Sequence, residues 1–113
     1  MPAAEGEICV VLCTFPDRAS GQLVALRLVE EHLVACAQLD ATAIESVYWW
    51  EGKLHEETEF RLLLKLPRRL LPKVRTRIAE LHPYTVPQIV DLSATANASY
   101  LAWLEDSCRP DPN

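Results

Sequence analysis

The residues able to do chemistry are few: four cysteines, three histidines and a set of carboxylates close to a tryptophan pair. Cys9 and Cys13 sit within one apolar stretch that reads as a strand, which places their Cα atoms roughly 13 Å apart. That exceeds the ~7 Å limit for a disulfide and is too wide for a shared metal ion. No zinc-type Cys-x-x-Cys pair occurs, and Cys36 and Cys108 stand alone. The cysteines form no framework.

A nucleophilic reading takes Cys13 as the attacking thiol and His82 as its base. No third, orienting carboxylate accompanies them, and three glycines in the whole chain supply no Gly-rich loop for an oxyanion or phosphate. The chain is therefore expected not to be an enzyme. Cys13 serves equally well as a small buried hydrophobe, and His82, placed before Pro83, as a hydrogen-bond partner of the following turn. Cys36, in Val34-Ala-Cys-Ala37, reads as packing. His32 and His55 lie among glutamates and are expected at the surface.

A second set is Trp50, Glu51, Glu59 and Lys65, which a hairpin and a subunit cleft could gather with Tyr84, and with Cys36 at the margin. Mixed aromatic and polar walls suit a small ligand. The competing reading makes these charges intersubunit salt bridges or a solvated strand face.

Elements must position these groups. Ile8 to Thr14 is a continuous apolar run, as in a central strand. Asp17 is a helix N-cap, followed by Leu23, Leu26, Val29 and Leu33 at helical spacing as the expected inward face. Ala35 to Trp50 is expected to be one long extended segment, turned at Glu51-Gly52-Lys53 because Gly52 tolerates positive φ. Thr58, Phe60, Leu62, Leu64 and Leu66 then alternate with Glu59, Arg61, Leu63 and Lys65. Leu71, Val74, Ile78 and Leu81 mark a second helix with Pro72 in its first turn. His82 to Pro87 is a stiff connection into a short strand, Ile89 to Leu92, and Asn97 caps a last helix bearing Tyr100, Leu101, Trp103 and Leu104.

The fold class that follows is α+β: a ferredoxin-like βαββαβ unit with a four-stranded antiparallel sheet, helices on one face and a C-terminal helix. A single domain over 1–113 is expected, with an ordered core from about 8 to 105 and flexible termini. One sheet face is left bare. An extended segment of about 14 residues would span ~45 Å, against a radius of gyration near 13 Å for a compact domain of this size. The hairpin then projects, carrying Tyr48, Trp49 and Trp50 at its tip, and self-association is the expected remedy.

Eleven basic against 16 acidic residues give a net charge of −5, which argues against nucleic acid as a partner. No apolar run approaches the ~20 residues that span a bilayer, and Met1 to Glu7 has no signal-peptide character. A cytoplasmic location without membrane association is expected.

Leu12-Cys-Thr14 with Pro16-Asp17, Leu33-Val-Ala-Cys-Ala37, Tyr48-Trp-Trp-Glu-Gly-Lys53, His82-Pro-Tyr-Thr-Val-Pro87 and Tyr100-Leu-Ala-Trp103 occur in this order. Together they resemble the CutA family of divalent-cation-tolerance proteins, from about Ile8 to Leu104. The resemblance implies a tight homotrimer, an architecture similar to PII signalling proteins and an association with copper or other divalent cations. It also implies Cys13 and His82 as metal residues. Thiolate suits Cu(I) and imidazole suits Cu(II) or zinc, but two ligands alone need a third. Leu81 stands where some members carry a second histidine, Gln88 where glutamate is common, and Ala41-Thr42 near a usual Pro-Gly. The leading expectation is a trimeric divalent-metal-binding protein of metal tolerance or response, with copper as the expected metal; the alternative is a PII-like signalling module with a small ligand in its intersubunit clefts and metal binding incidental.

Overall fold

The computed structural model describes residues 6–110. Residues 1–5 and 111–113, part of the termini expected to be flexible, lie outside the described residues. Gly6 and Glu7 already belong to the first strand, and the last helix runs to Ser107. The regular elements thus run from Gly6 to Ser107.

The chain runs β1 (Gly6–Phe15), α1 (Arg18–Glu30), β2 (Cys36–Leu39), β3 (Ile44–Trp50), β4 (Lys53–Leu66), a 3₁₀ turn at Arg68–Leu70, α2 (Leu71–Leu81), β5 (Val90–Ala96) and α3 (Ala98–Ser107). All pairings are antiparallel, in the order β2-β4-β1-β5, with β3 also on β4. Taking β2 and β3 as one interrupted strand, this is the ferredoxin-like sheet. Cys9, Val11, Cys13 and Phe15 of β1 meet Leu62, Leu64 and Leu66 of β4 in a core closed by Val24 and Leu28 of α1 and Val74 and Ile78 of α2.

The expected inward face of the first helix is corrected. Leu23, Leu26 and Val29 are 44%, 55% and 40% exposed, while Gly21, Val24 and Leu28 are buried. The helix offers two apolar stripes, and Gly21 decides between them. A Cβ there would come within 3.0 Å of Leu39 and 3.3 Å of Phe15, so only the glycine side lets the helix sit this close to the sheet. Asp17 caps the helix as expected, accepting the Ser20 N–H at 2.8 Å.

The single long strand is also corrected. Leu39 pairs with Leu62 and Ile44 with Glu59, so five steps on one strand face three on the other, and the ladder breaks at Asp40–Ala43. Such extra residues form a bulge and bend the strand. Asp40 holds the break: its N–H donates to the Arg61 carbonyl at 2.9 Å and its carboxylate pairs with Arg61 at 3.0 Å. The hairpin still projects. The molecule measures 56 × 30 × 25 Å, with a radius of gyration of 15.4 Å against roughly 13 Å for a compact domain. Its turn places both Glu51 (φ 50°) and Gly52 (φ 75°) in the left-handed region between paired Trp50 and Lys53, the geometry of a type I′ turn.

The last strand, Val90–Ala96, is longer than Ile89 to Leu92 and pairs along β1 from Gly6 to Leu12. The helices do not all share one face. Leu101 of α3 packs on the Cα of Gly6, and Lys65 lies 5.8 Å from the centroid of Tyr100. Gly6 and Lys65 belong to the sheet side opposite Cys9 and Leu64, so α3 covers one end of the face that was expected to be bare. Side-chain alternation places Val10, Leu12, Leu63, Val90 and Leu92 on that same face, the last two exposed.

Candidate functional site

Cys13 points into the core between the sheet and its helices and is fully buried. Burial pushes its thiol up to about 12, with the Glu59 carboxylate adding to the rise and a Thr14 backbone hydrogen bond opposing it. Cys108, also buried, is raised to about 11 for the same main reason.

His82 caps the C-terminus of α2 and turns into the end of β1. Its ring stacks on Phe15 at 4.3 Å between centroids. Nε2 lies 2.8 Å from the Thr14 carbonyl oxygen, and Nδ1 lies 3.0 Å from the Tyr84 amide nitrogen. A carbonyl can only accept and an amide N–H can only donate, so the imidazole is neutral with its proton on Nε2. Burial holds its pKa below the ordinary histidine value, against smaller opposing contributions from Thr14 and Glu59. Both ring nitrogens are engaged by backbone, and burial favours the neutral thiol at Cys13. The pair as arranged does not fit a metal ion. Among the described residues no group of three or more His, Cys, Asp or Glu side chains is placed to hold one.

The depressed His82 pKa has a pH consequence. Below the unfolded value of about 6.5 the unfolded chain binds a proton that the folded chain refuses, so stability falls as pH drops. Unfolding midpoints in urea are expected to decline between pH 7 and pH 5. A His82→Gln variant, less stable throughout, is expected to show a shallower slope over that window.

Beside His82 the structure opens into a cleft of about 780 Å³. Its walls come from β3 and β4 (Ser46, Tyr48, Trp50, His55, Glu57, Glu59), from Thr14, and from the 83–88 connection. The Tyr84 hydroxyl donates to Glu59 Oε2 at 2.8 Å. Burial first, then this carboxylate, raises the Tyr84 pKa. Tyr48 and His55, paired across β3 and β4, stack at 5.4 Å with planes 8° apart. The Thr14 hydroxyl donates to Gln88 Oε1 at 3.3 Å. His55 Nδ1 lies 3.8 Å from Glu57.

The fold thus brings Trp50, Glu59 and Tyr84 together, as the sequence suggests, but within one chain. Cys36, Glu51 and Lys65 are elsewhere. Glu51 is at the exposed hairpin turn, and Cys36 pairs with Lys65 at the far end of β4, near Tyr100. His55, expected at the surface, is a half-buried cleft residue, and Glu57, Tyr48 and Gln88 were not anticipated. The alternation signal for Glu57 was available: it shares the Glu59 side of β4.

Comparison with known proteins now bears on this geometry. The family model described as CutA1 divalent ion tolerance protein matches residues 9–107. The chain belongs to the CutA1 family. It is 41% identical over 99 residues to the divalent-cation tolerance protein CutA of Thermus thermophilus, covering 87% of this chain and 95% of that one. The solved CutA1 of Ehrlichia chaffeensis matches with TM-score 0.86 at 30% identity, over 91% of this chain and 96% of that one. CutA of Archaeoglobus fulgidus, described as a periplasmic divalent cation tolerance protein, gives TM-score 0.86 at 28% identity, over 90% and 99%. The CutA1 fold is thereby shown, and with it a place among divalent-ion tolerance proteins. No described helix is long and apolar enough to cross a membrane.

Proposed function

We propose that this CutA1 chain is a non-enzymatic, PII-like binding protein of divalent-metal tolerance that acts as a homotrimer and takes a small ligand in the cleft beneath its hairpin. The observation that carries the reading is the contrast between two places. His82 is closed by its hydrogen bonds to the Thr14 carbonyl and the Tyr84 N–H and Cys13 by complete burial, whereas a cleft of about 780 Å³ lies beside them, within the size range of small-molecule sites. Trimer formation is supported by the projecting hairpin and the apolar sheet face, since Trp49 is 72% exposed and Leu92 51%. Isolated surface hydrophobes are ordinary, but a contiguous set calls for a partner. Four free cysteines, three of them buried, suit a reducing cytoplasm. The acidic balance argues against nucleic acid as a partner.

A second reading places copper on Cys13 and His82, favoured by the family's association with divalent cations and by the closeness of both residues to the end of β1. Calorimetric titration of the reduced protein with Cu(II) and Zn(II) separates the two. The expected result is that Cys13→Ser and His82→Gln take up either metal as the wild type does. Stoichiometric copper binding lost in both variants would establish the copper site and refute the closed-pair argument.

A further inference from the structure

We propose that the ligand of the cleft is an organic cation, an alkylammonium or guanidinium group held between aromatic faces and the Glu57 and Glu59 carboxylates. This rests on the reading of the cleft as the ligand site and names its chemistry. Three observations carry it independently of the family.

Charge comes first. Between Ile44 and Phe60 the hairpin carries five glutamates (45, 51, 56, 57, 59) against one basic residue, Lys53, a balance of −4 within a chain of net −5. Two of those glutamates face into the cleft, and none of its lining residues is a lysine or arginine. Glu59 is only 6% exposed, accepts from Tyr84 alone and has no cationic partner among the described residues. A carboxylate withdrawn from water without a counter-charge attracts a cation more strongly than an exposed one does.

The walls come second. Tyr48, Trp50 and Tyr84 line the same space, and the faces of such rings attract organic cations. The third observation excludes a bare metal ion as the better fit. Divalent ions such as calcium and magnesium require six or more oxygen ligands or retained waters, whereas the cleft sets two carboxylates among dispersed hydroxyl, amide, imidazole and aromatic groups, and among the described residues no three His, Cys, Asp or Glu side chains converge on one point. Its volume is that of a molecule, not an ion.

The test is calorimetry with tetramethylammonium chloride, and with tert-butanol as a neutral probe of similar shape, on the full chain in its native assembly. Saturable tetramethylammonium binding, one per chain, is expected, with no tert-butanol binding at the same concentrations. Glu59→Gln keeps an oxygen for the Tyr84 hydroxyl, so it preserves the local hydrogen bond; it is expected to weaken tetramethylammonium at least 10-fold. Trp50→Leu should weaken it to a similar degree. Equal affinity for the neutral probe, or a Glu59→Gln variant that binds as the wild type does, would overturn the cation assignment while leaving the cleft as a ligand site. Failure of both probes, with Glu57, whose side chain is 54% exposed in the single chain, protected from carbodiimide labelling, would mean a neighbouring copy fills the cleft. That outcome overturns the cleft reading as well.

Discussion

Replacing His82 by alanine is expected to lower the unfolding free energy by about 3 kcal/mol. The imidazole is 8% exposed and bridges two backbone groups, the Thr14 carbonyl and the Tyr84 N–H. Removing it strands both, at roughly 1–3 kcal/mol for each buried group left without a partner. The stacking partner Phe15, fully buried, also loses one face. For a domain of this size the change corresponds to a fall of about 12–20 °C in Tm, measured at fixed protein concentration because assembly stabilises by mass action. The connection carrying Tyr84 is anchored by this ring, so the Tyr84–Glu59 hydrogen bond is expected to loosen too. A ring that served only as a metal ligand would predict the opposite pattern, with metal uptake lost and the apo-protein's Tm nearly unchanged.

A comparable loss, about 3 kcal/mol, is expected for Leu28→Ala, whereas Leu26→Ala should change stability by less than about 0.5 kcal/mol. Leu28 is fully buried and Leu26 is 55% exposed. Truncating a buried leucine removes transfer energy and leaves a cavity, with costs of 2–5 kcal/mol. An exposed helical leucine replaced by alanine loses little contact area and gains slightly in helix propensity. Denaturant unfolding of the two variants side by side checks the orientation of α1 directly. Equal effects, or the reverse order, would show that the helix presents its Leu23–Leu26–Val29 stripe inward.

Those two residues also show how far the sequence could be read. Element order, the antiparallel sheet and the projecting hairpin were legible, because alternation in Leu62-Leu63-Leu64-Lys65-Leu66 and the apolar run of β1 admit few other arrangements. The Glu51-Gly52 turn was legible from glycine's tolerance of positive φ. The helix face was not legible, since Val24–Leu28 and Leu23–Leu26–Val29 are both apolar. Gly21 chose between them through contacts with Phe15 and Leu39 that are distant in sequence.

For the site, the sequence by itself determined which residue types were available and that Trp50, Glu59 and Tyr84 belonged to a common polar and aromatic set. It also determined the concentration of negative charge on the hairpin. Only the tertiary structure decided that Cys13 faces the core, where low polarity keeps its thiol protonated. Only the tertiary structure, likewise, gave both His82 nitrogens backbone partners, and joined Glu57 and His55 to the cleft while leaving Cys36 and Lys65 at the far end of β4. The physical reason is common to all these cases. Composition and spacing specify which groups share a face of one element, but hydrogen-bond partners and solvent exposure depend on what another element brings against that face.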